Sequence, residues 1–194
     1  MKTIDYYNKN AEEFSQATLH VDMASLYQPF LAELPEVAHI LDVGCGTGRD
    51  TLAFINKGHK VDAIDYSDEL VKKAKALTGM DVQLQSFYEL NDVERYDGIW
   101  ACASLLHCQR DRLAEVNGKL LEALKPMGVL YMSFKYGNTD REKEGRQFTD
   151  LDETQAKALL NTLHNVEQVQ QWITLDQRPD RQEKWLNLLW KKIA

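Results

Sequence analysis

Ile40-Leu41-Asp42-Val43-Gly44-Cys45-Gly46-Thr47-Gly48 is an apolar run that contains one acid and is followed at once by glycines at alternate positions. Ile40 to Val43 reads as a buried strand, and the glycine-rich turn behind it lets a ligand lie against bare backbone, where side chains would collide with it. Many nucleotide sites share such a turn, so the acid narrows the choice. A carboxylate at the strand end repels a pyrophosphate and attracts, directly or through water, an ammonium group. The expected ligand is therefore a nucleoside that carries an amino acid.

A second anchor lies one helix further on, where the short apolar strand Lys60 to Asp65 ends in another acid. In a strand–helix–strand unit this position points at the edge of the first glycine turn, and its carboxylate can accept hydrogen bonds from both ribose hydroxyls. Enzymes that bind NAD use a similar acid. Their fingerprint, however, places its third glycine one residue later than Gly48, and Asp42 would face their pyrophosphate. Together Asp42, the Gly44/Gly46/Gly48 turn and Asp65 resemble the nucleoside-binding half of the class I S-adenosylmethionine-dependent methyltransferases. The plain alternative is a tight turn flanked by two solvated acids.

The chain has 194 residues, 44% hydrophobic and 27% charged, enough for one domain with a full core. One domain over residues 1–194 is expected, with residues 1–37 as a helical lid and 38–194 as a Rossmann-like core. No apolar stretch approaches the roughly 20 residues that cross a bilayer, and the first ten residues lack a signal-peptide core. Three cysteines, Cys45, Cys102 and Cys108, suit free thiols better than a disulfide framework, so a cytoplasmic location is expected. Twenty-three basic against 30 acidic residues, net −7, disfavour a broad phosphate-tracking surface. Nucleic acid is thus an unlikely partner, and a small-molecule substrate is favoured.

Along the chain, residues 1–37 space Tyr6, Tyr7, Phe14, Leu19, Met23, Leu26, Tyr27, Phe30 and Leu31 at helical intervals and predict two amphipathic helices. Strand and helix then alternate. A helix over Asp50 to Lys57 closes at Gly58; one after the N-cap Ser67 stops at Gly79. Strands are predicted at Val82 to Ser86, Gly98 to Ala103 and Val129 to Phe134, with a helix from about Asp111 to Leu124. Lys135 to Gln147 reads as a long loop. A helix from Asp152 to His164 and the strands Val166 to Leu175 and Lys184 to Lys191 complete the chain, the last strand running antiparallel. This α/β order, a mostly parallel sheet with helices on both faces, resembles the seven-stranded methyltransferase fold. Tyr96–Asp97–Gly98–Ile99–Trp100 and Leu124–Lys125–Pro126–Met127–Gly128 look like its fourth-strand motif and its turn before strand five. Among subfamilies the layout and Leu105–Leu106–His107 look closest to small-molecule methyltransferases of the tellurite-resistance type.

The resemblance implies roles for particular residues. Gly44, Cys45 and Gly46 give backbone approach, Asp42 faces the ammonium, Asp65 takes the ribose and Tyr66 covers the adenine. Ser86 and Phe87 stand where related enzymes carry an acid that reads the adenine amino group. Ala103 and Ser104 line the methionine part of S-adenosylmethionine. Arg49 either meets the cofactor carboxylate or is solvated, and Tyr6 and Tyr7 either reach that carboxylate or pack the lid. Cys45 is a small residue that fits the turn rather than a nucleophile.

His107 is the candidate base, with a packed structural histidine as the alternative. An acceptor that is already an anion needs only alignment in line with the methyl group; a neutral amine or hydroxyl needs a base as well. Lys135, Tyr136, Arg146, Arg178 and Arg181, with Trp172 nearby in sequence, either clamp a small anionic substrate or are solvated loop charges, with Tyr136, Arg146 and Arg178 as the substrate-binding candidates. Trp185 and Trp190 read as core, and no metal is expected. The rival functions are a nucleic acid or protein methyltransferase and a non-catalytic regulator that binds S-adenosylmethionine; a basic groove would mark the first, binding without turnover the second.

Overall fold

Because successive residues of a strand point to opposite faces, the run Ile40–Val43 has to feed two cores at once. In the computed structural model, which describes residues 2–193, it does so. Residues 1 and 194, the ends of the expected domain, lie outside the described residues. Leu41 and Val43 belong to the core on one face of the sheet and Ile40 to the core on the other. Leu130 and Tyr131 divide the same way, and so do Ile99 and Trp100. Trp100 stacks on Tyr131 with ring centroids 3.9 Å apart.

Three helices come first, α1 (Thr3–Lys9), α2 (Ala11–Thr18) and α3 (Ala24–Ala32), where two were expected. Asn10 is the residue that parts the first pair, its backbone leaving helical geometry at φ −111° and ψ 20°. β1 (His39–Val43), α4 (Arg49–Asn56), β2 (Lys60–Asp65), α5 (Asp68–Thr78) and β3 (Gln83–Leu84) follow. Next come β4 (Tyr96–Ala101), α6 (Leu113–Ala123), β5 (Leu124–Lys135), β6 (Asp140–Lys143), β7 (Arg146–Thr149), α7 (Glu153–Asn161), β8 (Val166–Leu175) and β9 (Lys184–Lys192). The main sheet has seven strands in the order β3-β2-β1-β4-β5-β9-β8. β1 pairs in parallel with β2 and β4, and β4 with β5, while β9 runs antiparallel to both β5 and β8. This is the expected mostly parallel sheet with its last strand inserted against the others. The strand order reverses between β1 and β4, and the crevice outside the carboxyl ends of the strands at such a reversal is where open α/β sheets bind ligands. Among the described residues no helix is long and apolar enough to cross a membrane.

The expected loop at 135–147 is largely structured. β5 runs on through Lys135, and β6 and β7 form a separate antiparallel hairpin that turns at Glu144 and Gly145, both with positive φ (54° and 76°). Such a two-residue turn matches the twist of the flanking strands. β3 is shorter than Val82 to Ser86 because it is an edge strand, pairing with β2 alone through two residues.

Candidate active site

The glycine turn takes its shape from close packing. Gly44 has φ +72°, and a Cβ there would stand 2.4 Å from the Cβ of Ser104 at the end of β4. The two strand ends approach so closely that only glycine fits. Gly46, at φ +58°, leaves 3.3 Å between such a Cβ and the ring of Phe14 on α2, so the lid lies directly over the turn. The amides of Gly44 and Cys45 both donate to the carbonyl of Ile64, at 2.8 and 3.0 Å, fastening the turn to β2.

Asp65 lies on the wall of the cleft that opens beside this turn. One carboxylate oxygen accepts the Gly46 amide and the other the Ser67 amide, each at 2.8 Å. Burial pushes its carboxyl up to about 6, against these backbone hydrogen bonds. Asp42 differs from expectation. Its side chain is buried behind the turn, accepts the Thr51 hydroxyl at 2.6 Å and does not line the cleft. Burial, and next the charge of Asp50, push its carboxyl well above the usual range. A side chain turned away from the cleft does not meet an ammonium there.

The buried carboxylate on the wall is Asp50, which sequence reasoning passed over. It accepts from Tyr27 Oη at 2.5 Å, Trp100 Nε1 at 2.8 Å and Arg49 at 2.7 and 3.1 Å. Burial alone would raise it, but Arg49 and these hydrogen bonds hold it below the ordinary value. The signal was an acid in the first turn of a helix beside an arginine. Arg49 itself is not solvated: the rest of its guanidinium donates to the Thr18 carbonyl at 3.1 Å, and the side chain lines the cleft.

Cys45, Gly46, Tyr66, Ser86, Phe87, Ala103 and Ser104 also line the cleft. Tyr66 is 58% exposed and forms the rim. Ser86 caps a short turn by accepting the Tyr88 amide at 3.2 Å. Ala103, at φ +52°, donates its amide to Ser133 Oγ at 2.9 Å. Ser104 Oγ is buried without a hydrogen-bond partner. The Cys45 thiol is raised by burial and by Asp42 and Asp65, the reverse of what a nucleophile needs.

Across the cleft, His107 Nδ1 lies 2.7 Å from the Gln147 carbonyl and Nε2 2.8 Å from Tyr7 Oη. A carbonyl only accepts, so the proton sits on Nδ1, and Nε2 accepts from Tyr7. Burial pushes the imidazole down to about 4, opposed by the bond to Gln147 and reinforced by Arg146 and Lys135. The ring is therefore neutral near neutrality. Arg146 lies over Tyr6, its guanidinium carbon 3.9 Å from the ring centroid, with Nε buried and unpartnered.

Lys135, Arg146, Arg178 and Arg181 do converge on this cleft, but each has an acid beside it. Arg146 pairs with Glu144 at 2.6 Å, Arg178 with Asp176 at 2.5 Å, Lys135 with Glu183 at 2.7 Å, and Arg181 stands 3.9 Å from Glu183. Tyr136 is elsewhere. Its hydroxyl bonds Glu153 at 2.8 Å outside the cleft, because the chain leaves the end of β5 there to start the hairpin. Trp172 packs against the core, Trp190 is fully buried, and Trp185, expected in the core, packs against it half-buried and also lines the cleft. Thr18, Gln85, Tyr88 and Phe148 are wall residues that no spacing in the sequence had marked, and Phe14, marked only as an apolar helix position, joins them.

A methyltransferase-domain family model matches residues 40–128. An uncharacterized methyltransferase of Staphylococcus carnosus is 28% identical over 138 residues, 67% of this chain and 66% of that protein. A ubiquinone biosynthesis O-methyltransferase of Xanthomonas campestris is 35% identical over 104 residues, 50% of this chain and 42% of that protein. The chain thus spans between two fifths and two thirds of the length of these curated relatives. Among solved structures, the Burkholderia thailandensis 1,6-didemethyltoxoflavin-N1-methyltransferase, with S-adenosylhomocysteine bound, superposes with TM-score 0.79 at 23% identity, covering 98% of this chain and 85% of that one. Residues 40–128 thus resemble a methyltransferase domain, and the chain as a whole has the fold of the Burkholderia enzyme.

Proposed function

We propose that the protein transfers the methyl group of S-adenosylmethionine to a small anionic molecule, acting as one unit over residues 1–194 with residues 1–37 as the lid. The observation that carries this reading is a pair of orphaned polar atoms on one cleft of about 1000 Å³. Ser104 Oγ, packed on the glycine turn, and Arg146 Nε, beside Tyr6 and His107, are both buried without partners among the described residues. That volume admits a nucleoside donor and a small acceptor together. The Gly44–Gly46 turn, which leaves no room for side chains, and the Asp65 carboxylate fit an adenosyl group.

Bound there, the donor supplies a methyl group on a cationic sulfur. The chain's part is alignment and exclusion of water. Asp65 accepts the ribose hydroxyls, Tyr66 and Phe87 flank the adenine with Ser86 as its polar neighbour, and Cys45, Gly46, Ala103 and Ser104 wall the amino-acid part. Arg49, held by Asp50, meets the donor carboxylate, and Asp50 supplies the negative potential beside the ammonium that Asp42 was expected to give. Arg146 holds the acceptor's anionic group through its unpartnered Nε, with Arg178 behind it. The relatives from Xanthomonas and Burkholderia carry the names of ubiquinone biosynthesis and of 1,6-didemethyltoxoflavin, which supports a small acceptor. The tellurite-resistance subfamily rests on layout and Leu105–Leu106–His107, and the free thiols Cys45, Cys102 and Cys108 support a cytoplasmic location.

Calorimetry with S-adenosylmethionine and S-adenosylhomocysteine, followed by release of S-adenosylhomocysteine over a panel of carboxylate-bearing phenols, thiols and chalcogen anions, tests the reading. Preference for NAD or ATP, or binding without turnover on any acceptor, would overturn it. Within it, Asp65→Ala is expected to weaken donor binding by about 1–3 kcal/mol, from lost hydrogen bonds to a charged group. In the parent protein donor affinity should rise with pH through about 6, because the ionised form of Asp65 is the better acceptor for two hydroxyls. A flat profile would remove its ribose role.

A further inference from the structure

The hydrogen bonds around His107 have a direction, and that direction constrains the acceptor. Gln147 fixes the proton on Nδ1, so Nε2 takes the Tyr7 proton and the phenol oxygen keeps its lone pairs for the cleft. Tyr7 Oη therefore accepts from whatever lies beside it. A second bond holds the arrangement together: the Gln147 amide donates to Thr3 Oγ1 at 3.1 Å, tying the strand that carries the imidazole's partner to the helix that carries Tyr7. The surrounding wall is aromatic. Phe148 lies 4.9 Å from the His107 ring, Tyr6 and Phe14 stand edge-on to Tyr7 at 5.5 and 5.3 Å, and Lys135 Nζ is 5.1 Å from the Phe148 ring and 5.7 Å from that of Trp185.

We propose that Tyr7 is the group that takes the proton of the methyl acceptor while passing its own to His107, and that the acceptor is an aromatic acid methylated at a phenol-type hydroxyl. This inference rests on the methyl-transfer reading. As the acceptor oxygen bonds the methyl carbon, the donor sulfur keeps the electron pair of the bond that breaks. The hydroxyl proton moves to Tyr7 Oη, the Tyr7 proton moves to Nε2, and the imidazolium later releases a proton to water. One positive charge leaves sulfur and one appears on His107, so the cleft's charge is unchanged. Exchange between two phenols is nearly balanced, which is why a phenol-type hydroxyl suits Tyr7 as partner. The charged groups facing the pair are Arg146 from β7, Lys135 from β5, Asp65 from β2 and Arg178 from the connection between β8 and β9, with Tyr6 alongside on α1. Burial keeps the imidazole neutral until an anion forms beside it; burial also raises the Tyr7 phenol, which Arg146 only partly offsets, so Tyr7 relays a proton and is not itself left as an anion.

The probe is 4-hydroxy-3-nitrobenzoate, whose phenolate is coloured, added to protein saturated with S-adenosylhomocysteine. In the parent protein its ionisation should move to lower pH by about one unit, a tenfold shift, and 15N NMR should show His107 becoming doubly protonated as the colour develops. Tyr7→Phe and His107→Gln should retain S-adenosylhomocysteine affinity and lose both signals. A bound probe that gives neither signal, or gives both in Tyr7→Phe, overturns the relay while leaving the donor reading intact. No probe binding overturns the aromatic acid as acceptor. Failure of S-adenosylhomocysteine to bind strikes the methyl-transfer reading itself.

Discussion

Gly44→Ala is expected to abolish measurable donor binding, a loss on the order of 100-fold or more, with the fold retained but weakened. The new Cβ would sit 2.4 Å from the Cβ of Ser104, where ordinary contact begins at 3.4 Å. Neither neighbour can yield cheaply, because the Ser104 carbonyl accepts the His107 amide at 3.0 Å in the turn after β4 and Gly44 is fastened to the Ile64 carbonyl at 2.8 Å. Overpacking of this kind costs about 1–3 kcal/mol, and the left-handed backbone at φ +72° adds roughly 1–2 kcal/mol. At about 2–4 °C per kcal/mol for a chain of this size, the melting temperature should fall by roughly 4–20 °C. The larger effect is on binding, since a wall displaced by about 1 Å costs on the order of 100-fold in positioning. Gly58→Ala is the control: φ there is +90°, yet nothing stands within 4 Å of the added methyl. It should show the backbone penalty alone and bind the donor as the parent does. Equal donor affinity in Gly44→Ala would mean that the turn is not the donor's cradle.

What the sequence disclosed follows from how local each signal is. β2 begins and ends where Lys60 to Asp65 predicted, because Val61, Ala63 and Ile64 are buried between polar ends, with only Asp62 interrupting the apolar run. β8 likewise matches Val166 to Leu175. The hairpin at 140–149 was hidden because Asp140-Arg141-Glu142-Lys143 has no apolar alternation, although Glu144–Gly145 between two short runs was a usable turn signal. β5 starts at Leu124, earlier than the predicted Val129, because Leu124 pairs with Tyr96 across an irregular register and so belongs to the sheet ahead of Met127–Gly128.

Residue roles were less legible than elements. Spacing placed Asp42 at the correct strand end but could not say which way its side chain turns, and β-strand alternation sends it to Thr51 behind the turn. Tyr136 failed for the opposite reason, since one residue past a strand end the chain direction is set by tertiary contacts. Asp50 was invisible because its partners, Tyr27 and Trp100, lie 23 and 50 residues away.

Asp50 also gives the largest expected loss of stability. Asp50→Ala would leave the Arg49 guanidinium, the Tyr27 hydroxyl and the Trp100 indole N–H without their shared acceptor, in a site where the carboxylate is 6% exposed. Breaking a buried pair from one side costs about 3–5 kcal/mol, because the remaining charge stays desolvated. Urea unfolding near neutral pH should read that deficit. The pH dependence has a definite sign. The native Asp50 carboxyl is held below its unfolded value, so its stabilisation is present above the unfolded value and lost as pH falls through the native one. The gap between parent and variant should therefore narrow in acid. Asp42 works in the other sense: its native carboxyl is raised, so its contribution is full in acid and lost as pH rises. Removing the Asp50 charge takes away one of the causes of that rise, which returns part of the loss near neutrality and lets Asp42 take over as the counter-ion of Arg49. Asp42→Asn combined with Asp50→Ala blocks this rescue. The double variant should fall further than the sum of the two single changes near neutral pH, and strict additivity would mean that the two carboxylates are not coupled through Arg49.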